Sequence, residues 1–177
     1  VSLGNGQSET LHVCLDPDFS STLAPLADFE PSAGNDSQKI IAKLPINTIS
    51  LDTIQGLPNV DWVILDELND AISILDNGRE RLSNTLLIQA RVVFQPTHDH
   101  QPSLAVLQSW ADRHGWRLYC LHRSNHRSRL PAHLGGAHRT ASELVSADAI
   151  LLPGQHRVAN LDHNRRIQLA FLLHTVY

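Results

Sequence analysis

Acidic side chains follow the apolar runs of this sequence at the points where a strand would end. Asp66 and Glu67 come directly after the run at 60–65. Asp16 follows the run at 11–15 in the same way. A carboxylate in such a position can orient a hydroxyl group or accept its proton, which is general base chemistry. It can equally cap a helix or close a turn, because aspartate accepts hydrogen bonds from backbone N–H groups.

Histidine is frequent, with 11 residues in 177, and several histidines lie close together. The segment QPTHDH places His98 and His100 on either side of Asp99, and His122 precedes His126 by four positions. Imidazole and carboxylate groups are common zinc ligands. A spacing of four brings two rings together only on a helix, whereas Pro96 and the neighbouring residues favour turns and loops. We therefore predict no metal site.

Arginines form a third group in the segment from Arg123 to Arg139, which holds four arginines and no acid. Such a basic loop at the end of a sheet could hold an anionic ligand, for example a sugar phosphate. A solvated surface loop is the alternative interpretation.

Composition narrows the class of protein. A chain of 177 residues, 42% of them hydrophobic, is long enough for one domain with a substantial core. The net charge of -4 and the pI near 6.2 argue against nucleic acid or an acidic membrane surface as a partner. No apolar run reaches the roughly 18 residues that would span a bilayer. Cys14 and Cys120 lie far apart in apolar runs, which favours free thiols and a cytoplasmic protein.

Apolar runs of strand length alternate with helical patterns along the chain. Strands are predicted at 11–15, 39–50, 60–65, 86–94, 116–121 and 149–152, with a loop at 124–136. Helices are predicted after Asp70, from Pro102 to Gly115, and from Asp162 onwards. This order predicts an α/β fold with a largely parallel sheet and helices on both faces. Ligands of such sheets bind at the carboxyl ends of the strands.

Several blocks of the sequence together resemble the C-terminal half of FkbM-type methyltransferases. They are, in order, SLDTI, NVDWVILD, ILDNGRERL, LLIQARVVFQPTHDHQP, WADRHGWRLYCLHR, SADAILLP and RRIQLAFLLHTVY. The resemblance covers residues 46–177 and implies one Rossmann-like methyltransferase domain over 1–177. Residues 1–45 form a lead-in, so we expect the N-terminal half of that fold to be truncated. The resemblance also implies S-adenosylmethionine as cofactor and methyl transfer to a hydroxyl of a glycan or related metabolite.

The resemblance implies roles for three residues. Asp66 would orient or deprotonate the acceptor hydroxyl, with His98 as a second candidate for that work. Asp16 would take the ribose hydroxyls of the cofactor, after the glycine-rich segment LGNG. The sequence departs from the family where ELNDA follows Asp66 in place of a small Gly-Ala-Glu turn, and where Arg91 replaces a glutamate. Framework residues are thus kept while acidic residues are lost.

Two hypotheses about function follow. The first is a degenerate O-methyltransferase domain. The second is a non-catalytic binding or scaffold module in a larger cytoplasmic protein of polysaccharide biosynthesis. Because the chain starts at Val1 and contains no Met, we expect a fragment of a larger protein whose other domains are among its partners. A glycan or a sugar phosphate is the expected ligand under either hypothesis, and neither fixes the oligomeric state.

Overall fold

A computed structural model describes residues 2–26, 36–128 and 142–176. The first of its two sheets has three strands in the order β1-β3-β2. These strands are β1 (Ser2–Leu3), β2 (Ser8–Cys14) and β3 (Ile40–Ile49). β1 runs parallel to β3, whereas β2 runs antiparallel to it. A single turn of 3-10 helix, Pro17–Phe19, follows β2.

The second sheet has four strands in the order β4-β5-β7-β6. They are β4 (Trp62–Leu65), β5 (Leu87–Val93), β6 (Trp116–Ser128) and β7 (Ser142–Pro153). β4 pairs in parallel with β5, and β7 lies antiparallel between β5 and β6. The carboxyl ends of β4 and β5 therefore meet at one end of this sheet, together with the start of β7.

The described residues form four α-helices: α1 (Ala71–Asp76), α2 (Leu104–Arg113), α3 (Gln155–Ala159) and α4 (His163–Val176). The first begins where the carboxylate of Asp70 accepts a hydrogen bond from the backbone N–H of Ser73. Ser103 caps α2 in the same way, and Gly115, with φ of 70°, ends the turn that follows it. Within the described residues, no helix is both long and apolar enough to cross a membrane.

The core lies on both faces of the four-stranded sheet. One face packs against α1 and α2, through Ile88, Ala90 and Val92 on the sheet side and the fully buried Leu107 and Trp110 on α2. The other face carries a smaller cluster with α4: Leu86, Leu87, Ile150, Leu152 and Leu169. That second cluster covers only the part of the face where β5 begins and β7 ends.

The predicted Rossmann-like domain with a largely parallel sheet is wrong. The described strands form two small mixed sheets, in which only β1–β3 and β4–β5 are parallel neighbours. One cause is the segment predicted as a loop from residue 124, because β6 continues to Ser128 and pairs with β7 as an antiparallel ladder. Antiparallel neighbours need no crossover helix, so the alternation of strand and helix stops there. A second cause is that β1, β2 and β3 pair with one another in a separate sheet.

Candidate functional site

Asp66 lies where the sequence places it, directly after β4, and it is exposed. Its backbone N–H donates to the side-chain oxygen of Asn69 at 2.8 Å. One of its carboxylate oxygens accepts from the backbone N–H of Leu68 at 3.4 Å. Asp66 thus helps to close the turn after β4 while its carboxylate remains open to solvent.

Asp16 belongs to the other sheet, where it caps the 3-10 turn after β2. Its carboxylate accepts from the backbone N–H of Asp18 at 3.1 Å. The glycines of LGNG pack against β3: the N–H of Gly4 donates to the carbonyl of Ile49, and a Cβ at Gly4 would come within 2.9 Å of the Cβ of Thr48. Gly4 thus allows a close approach to β3, whereas Gly6 has a φ of 82°, a conformation that favours glycine. Asp16 and LGNG therefore do not fit the cofactor cradle that the resemblance implies.

His98 is buried, with 6% of its surface exposed. Its Nδ1 lies 2.8 Å from the hydroxyl of Thr97, and its backbone pairs with Pro25 of the N-terminal segment. Burial lowers the pKa of His98, and the nearby His12 lowers it further. Asp66 is thus exposed to solvent, whereas His98 is shielded from it.

A cluster of polar side chains occupies the part of the four-stranded sheet that α4 leaves uncovered. We call it the polar face, and it consists of Glu67, Gln89, Arg91, Asn125, Ser146 and Asp148. Its centre is Asp148, which is only 3% exposed. The carboxylate of Asp148 accepts from Gln89 Nε2 at 2.9 Å and forms an ion pair with Arg91 Nε at 3.0 Å. A buried carboxylate needs such partners, because an unpaired charge in the interior is strongly unfavourable.

The outer part of the polar face is built around the hydroxyl of Ser146. It accepts from Asn125 Nδ2 at 3.2 Å and lies 3.5 Å from Arg91 Nη1. Ser146 is also close enough to Glu67 to act on the pKa of its carboxyl group. Asn125 is exposed, while Glu67 and Arg91 are half-buried. The buried Asp148 and Ser146 therefore hold three partly accessible side chains in place.

The surroundings of Glu67 raise the pKa of its carboxyl group. Burial raises the pKa of Glu67, and the charges of Asp66 and Asp148 raise it further; Arg91 and the hydrogen bond from Ser146 act in the opposite direction. A carboxyl group of this kind takes up a proton more readily than an exposed glutamate. It can then donate a hydrogen bond as well as accept one.

Only part of the polar face is predictable from the sequence. The sequence pattern indicates Glu67 as a residue after a strand and Arg91 as a departure from the family pattern. It does not indicate Gln89, Asn125, Ser146 or Asp148. A signal was present, because Gln89 and Arg91, like Ser146 and Asp148, stand two positions apart within runs of mostly apolar residues. Side chains two apart on a strand share one face.

The remaining candidates are dispersed. His122 and His126 lie on β6, together with the exposed Arg123 and Arg127. Arg129 and Arg139 lie outside the described residues. Among the residues that the structure does describe, no three His, Cys, Asp or Glu side chains lie together as a metal ion would require.

No protein-family model, curated protein or solved structure matches this chain. The resemblance to FkbM-type methyltransferases therefore stays a prediction, and function is inferred from the geometry of the polar face.

Proposed function

We propose that this domain is a non-catalytic module that binds a hydroxylated ligand of the glycan class at the polar face. We place it within a larger cytoplasmic protein of polysaccharide biosynthesis, as the resemblance suggests. The observation that carries the proposal is the hydrogen-bonded cluster in which buried Asp148 and Ser146 hold Arg91, Asn125 and Glu67 at the surface of the sheet.

The chemistry of the accessible groups suits hydroxyl ligands. A carboxyl group, an amide and a guanidinium together supply both donors and acceptors, as a sugar hydroxyl requires. The internal hydrogen bonds fix these side chains before a ligand arrives, so little side-chain entropy is lost on binding. Arg91 and Asn125 also lie on strands, which hold side chains more rigidly than loops do.

The charges of the polar face favour a neutral ligand over an anionic one. Asp148 already pairs with Arg91, which leaves the carboxylates of Asp66 and Glu67 beside it. A phosphate placed there would be repelled by these two groups, and like-charge contacts of this kind discriminate strongly against a ligand. A sugar phosphate is therefore less suited to this site than an uncharged glycan.

A second candidate is O-methyl transfer, which the resemblance implies. The raised pKa of Glu67 favours it, because a general base works best when its pKa is close to the working pH. Positioning, however, supplies about 7–11 kcal/mol of such a reaction and depends on a cofactor cradle. Asp16 and LGNG do not provide that geometry, so binding is the better-supported function.

Titration calorimetry tests the two candidates side by side. The chain is titrated with glucose, galactose, mannose and N-acetylglucosamine, and separately with S-adenosylmethionine. We expect saturable heat with at least one saccharide and none with S-adenosylmethionine. Asn125→Ala should weaken saccharide binding about three- to tenfold, the value of one or two hydrogen bonds. Ser124→Ala is the matched control, since Ser124 is the exposed neighbour of Asn125 on the same strand.

Two outcomes would contradict the proposal. Micromolar binding of S-adenosylmethionine without any saccharide binding would favour the methyltransferase hypothesis. Saccharide binding that Asn125→Ala leaves unchanged would place the ligand elsewhere on the molecule.

A further inference from the structure

A cavity of about 330 Å³ lies at the opposite end of the four-stranded sheet from the polar face. It opens where β5 and β6 begin and β7 ends. Its volume is at the lower end of the range of small-molecule sites, about 300–1,000 Å³. The described residues that line it include two arginines and one histidine but no carboxylate: Arg79, Leu82, Ser83, Trp110, His114, Trp116 and Arg157.

Arg157 is the inner cation of this cavity. Its guanidinium carbon lies 4.6 Å from the centre of the Trp116 ring, and one Nη donates to the backbone carbonyl of Ser83 at 2.7 Å. The same Nη also reaches the carbonyl of Thr85 at 3.3 Å. Burial lowers the pKa of Arg157, though a guanidinium stays charged at neutral pH. The positive charge is thus fixed by an aromatic ring and by carbonyl groups, without a carboxylate partner in these contacts.

Arg79 is the outer cation, at the rim of the cavity. It is exposed, and its Nε donates to the backbone carbonyl of Asp76 at 3.1 Å. Neither of its Nη groups has a partner among the described residues. A guanidinium that is anchored at Nε and open at Nη can take an anion.

His114 completes the polar lining. Its ring stacks on Trp110 with centroids 4.7 Å apart, and its Nδ1 lies 2.7 Å from the carbonyl of Trp110. Its Nε2 is 3.7 Å from a carboxylate oxygen of Asp76, and that same oxygen accepts from the indole N–H of Trp110. Leu82, Trp110 and Trp116 are almost fully buried and form an apolar floor.

We propose that this cavity binds a small organic phosphate, with the phosphate between Arg79 and Arg157 and the organic part against the apolar floor. Two guanidinium groups match the several oxygens of a phosphate. The volume limits the organic part to a group of about the size of one sugar ring. The cavity shares no residue with the polar face. The proposal for one site can therefore be disproved without affecting the proposal for the other.

Tryptophan fluorescence and calorimetry test this site, because two tryptophans line it. The probes are glucose 1-phosphate, glucose and inorganic phosphate, each titrated into the whole chain. We expect glucose 1-phosphate to bind more tightly than the other two. Arg79→Gln should weaken it about ten- to a hundredfold, the value of a hydrogen bond to a charged group.

Arg113→Gln is the matched control. Arg113 is exposed at the end of α2 and does not line the cavity. Its Nε donates to the backbone carbonyl of Ser109, just as the Nε of Arg79 donates to the backbone carbonyl of Asp76. Its substitution removes the same charge and should leave the affinity nearly unchanged. If Arg79→Gln and Arg113→Gln weakened the binding of glucose 1-phosphate equally, the effect would reflect only the loss of positive charge. That result would overturn the proposed site. No saturable binding of glucose 1-phosphate at millimolar concentration, or equal affinities for it and for inorganic phosphate, would also overturn the proposal.

Discussion

The two ends of the four-stranded sheet hold a half-buried arginine by different means. At the polar face, Arg91 is paired with the carboxylate of Asp148. At the opposite end, Arg157 rests on the Trp116 ring and donates to backbone carbonyls. Pairing with a carboxylate cancels the positive charge, whereas an aromatic ring and carbonyls leave it available to an anion. One sheet can therefore present an acidic site and a basic site although the net charge of the chain is only -4.

The largest difference between the ends should come from Asp148. Asp148→Ala leaves Arg91 and Gln89 without their buried partner, and breaking a buried ion pair from one side costs about 3–5 kcal/mol. We expect a loss of that size in the free energy of unfolding, measured by urea denaturation. Asp66→Ala is the control, because the exposed Asp66 should change stability by less than about 0.5 kcal/mol. A loss below about 1 kcal/mol for Asp148→Ala would contradict the picture of a buried, interdependent cluster.

A smaller effect is expected at the other end from Arg157→Gln. The substitution removes hydrogen bonds to two carbonyls and the contact with Trp116, together worth about 1–3 kcal/mol. Urea denaturation of this variant and of Asp148→Ala compares the loss in the free energy of unfolding at the two ends of the sheet. Arg166→Gln serves as the control, since Arg166 is exposed and donates to one nearby carbonyl, that of Ala159. If Arg157→Gln proved as costly as Asp148→Ala, the proposed contrast between the ends would be lost.

The polar face should also show a pH dependence through Glu67. A raised carboxyl pKa means that the folded state binds the proton more tightly than the unfolded chain, whose ordinary value is near 4.5. Below that value both states are protonated and Glu67 has no effect. As pH rises through the folded pKa, the wild type should lose stability relative to Glu67→Gln, and the difference should then level off. Thermal unfolding of both proteins across this pH range measures the difference, and a constant difference would contradict a perturbed Glu67.

The smallest effect concerns the contact between the N-terminal segment and the second sheet. Burial lowers the pKa of both His98 and His12. The neighbouring His12 lowers the pKa of His98 further, and Lys43 lowers the pKa of His12 further. Lowered pKa values mean that the neutral rings stabilise the fold above about pH 6.5, and that this contribution is lost as pH falls through the folded pKa values. Between about pH 7 and pH 5 the wild type should lose stability relative to His98→Gln. His100→Gln is the control, because His100 is exposed. Its stability should vary with pH as that of the wild type does.

The spacing of apolar residues along the chain predicted the helices and strands in which that spacing is most regular. The strands expected at 60–65 and 86–94 are found as Trp62–Leu65 and Leu87–Val93, and the helix between Pro102 and Gly115 spans Leu104–Arg113. The partners of these strands could not be read from local pattern. The antiparallel placement of β7 depends on pairing between distant segments, and Gln89 bonds Asp148 across 59 positions. The acid after β4 was therefore predictable, whereas the cluster that it borders was not.

The central claim is that the polar face is the glycan site, and mapping of backbone amide shifts by NMR tests it most directly. The labelled chain is titrated with the saccharide that gives the largest calorimetric heat. We expect the shifts to concentrate at the amides of Glu67, Arg91, Asn125 and Ser146. Shifts confined to the lining of the opposite cavity, at Arg79, Ser83, His114 and Arg157, would contradict the claim.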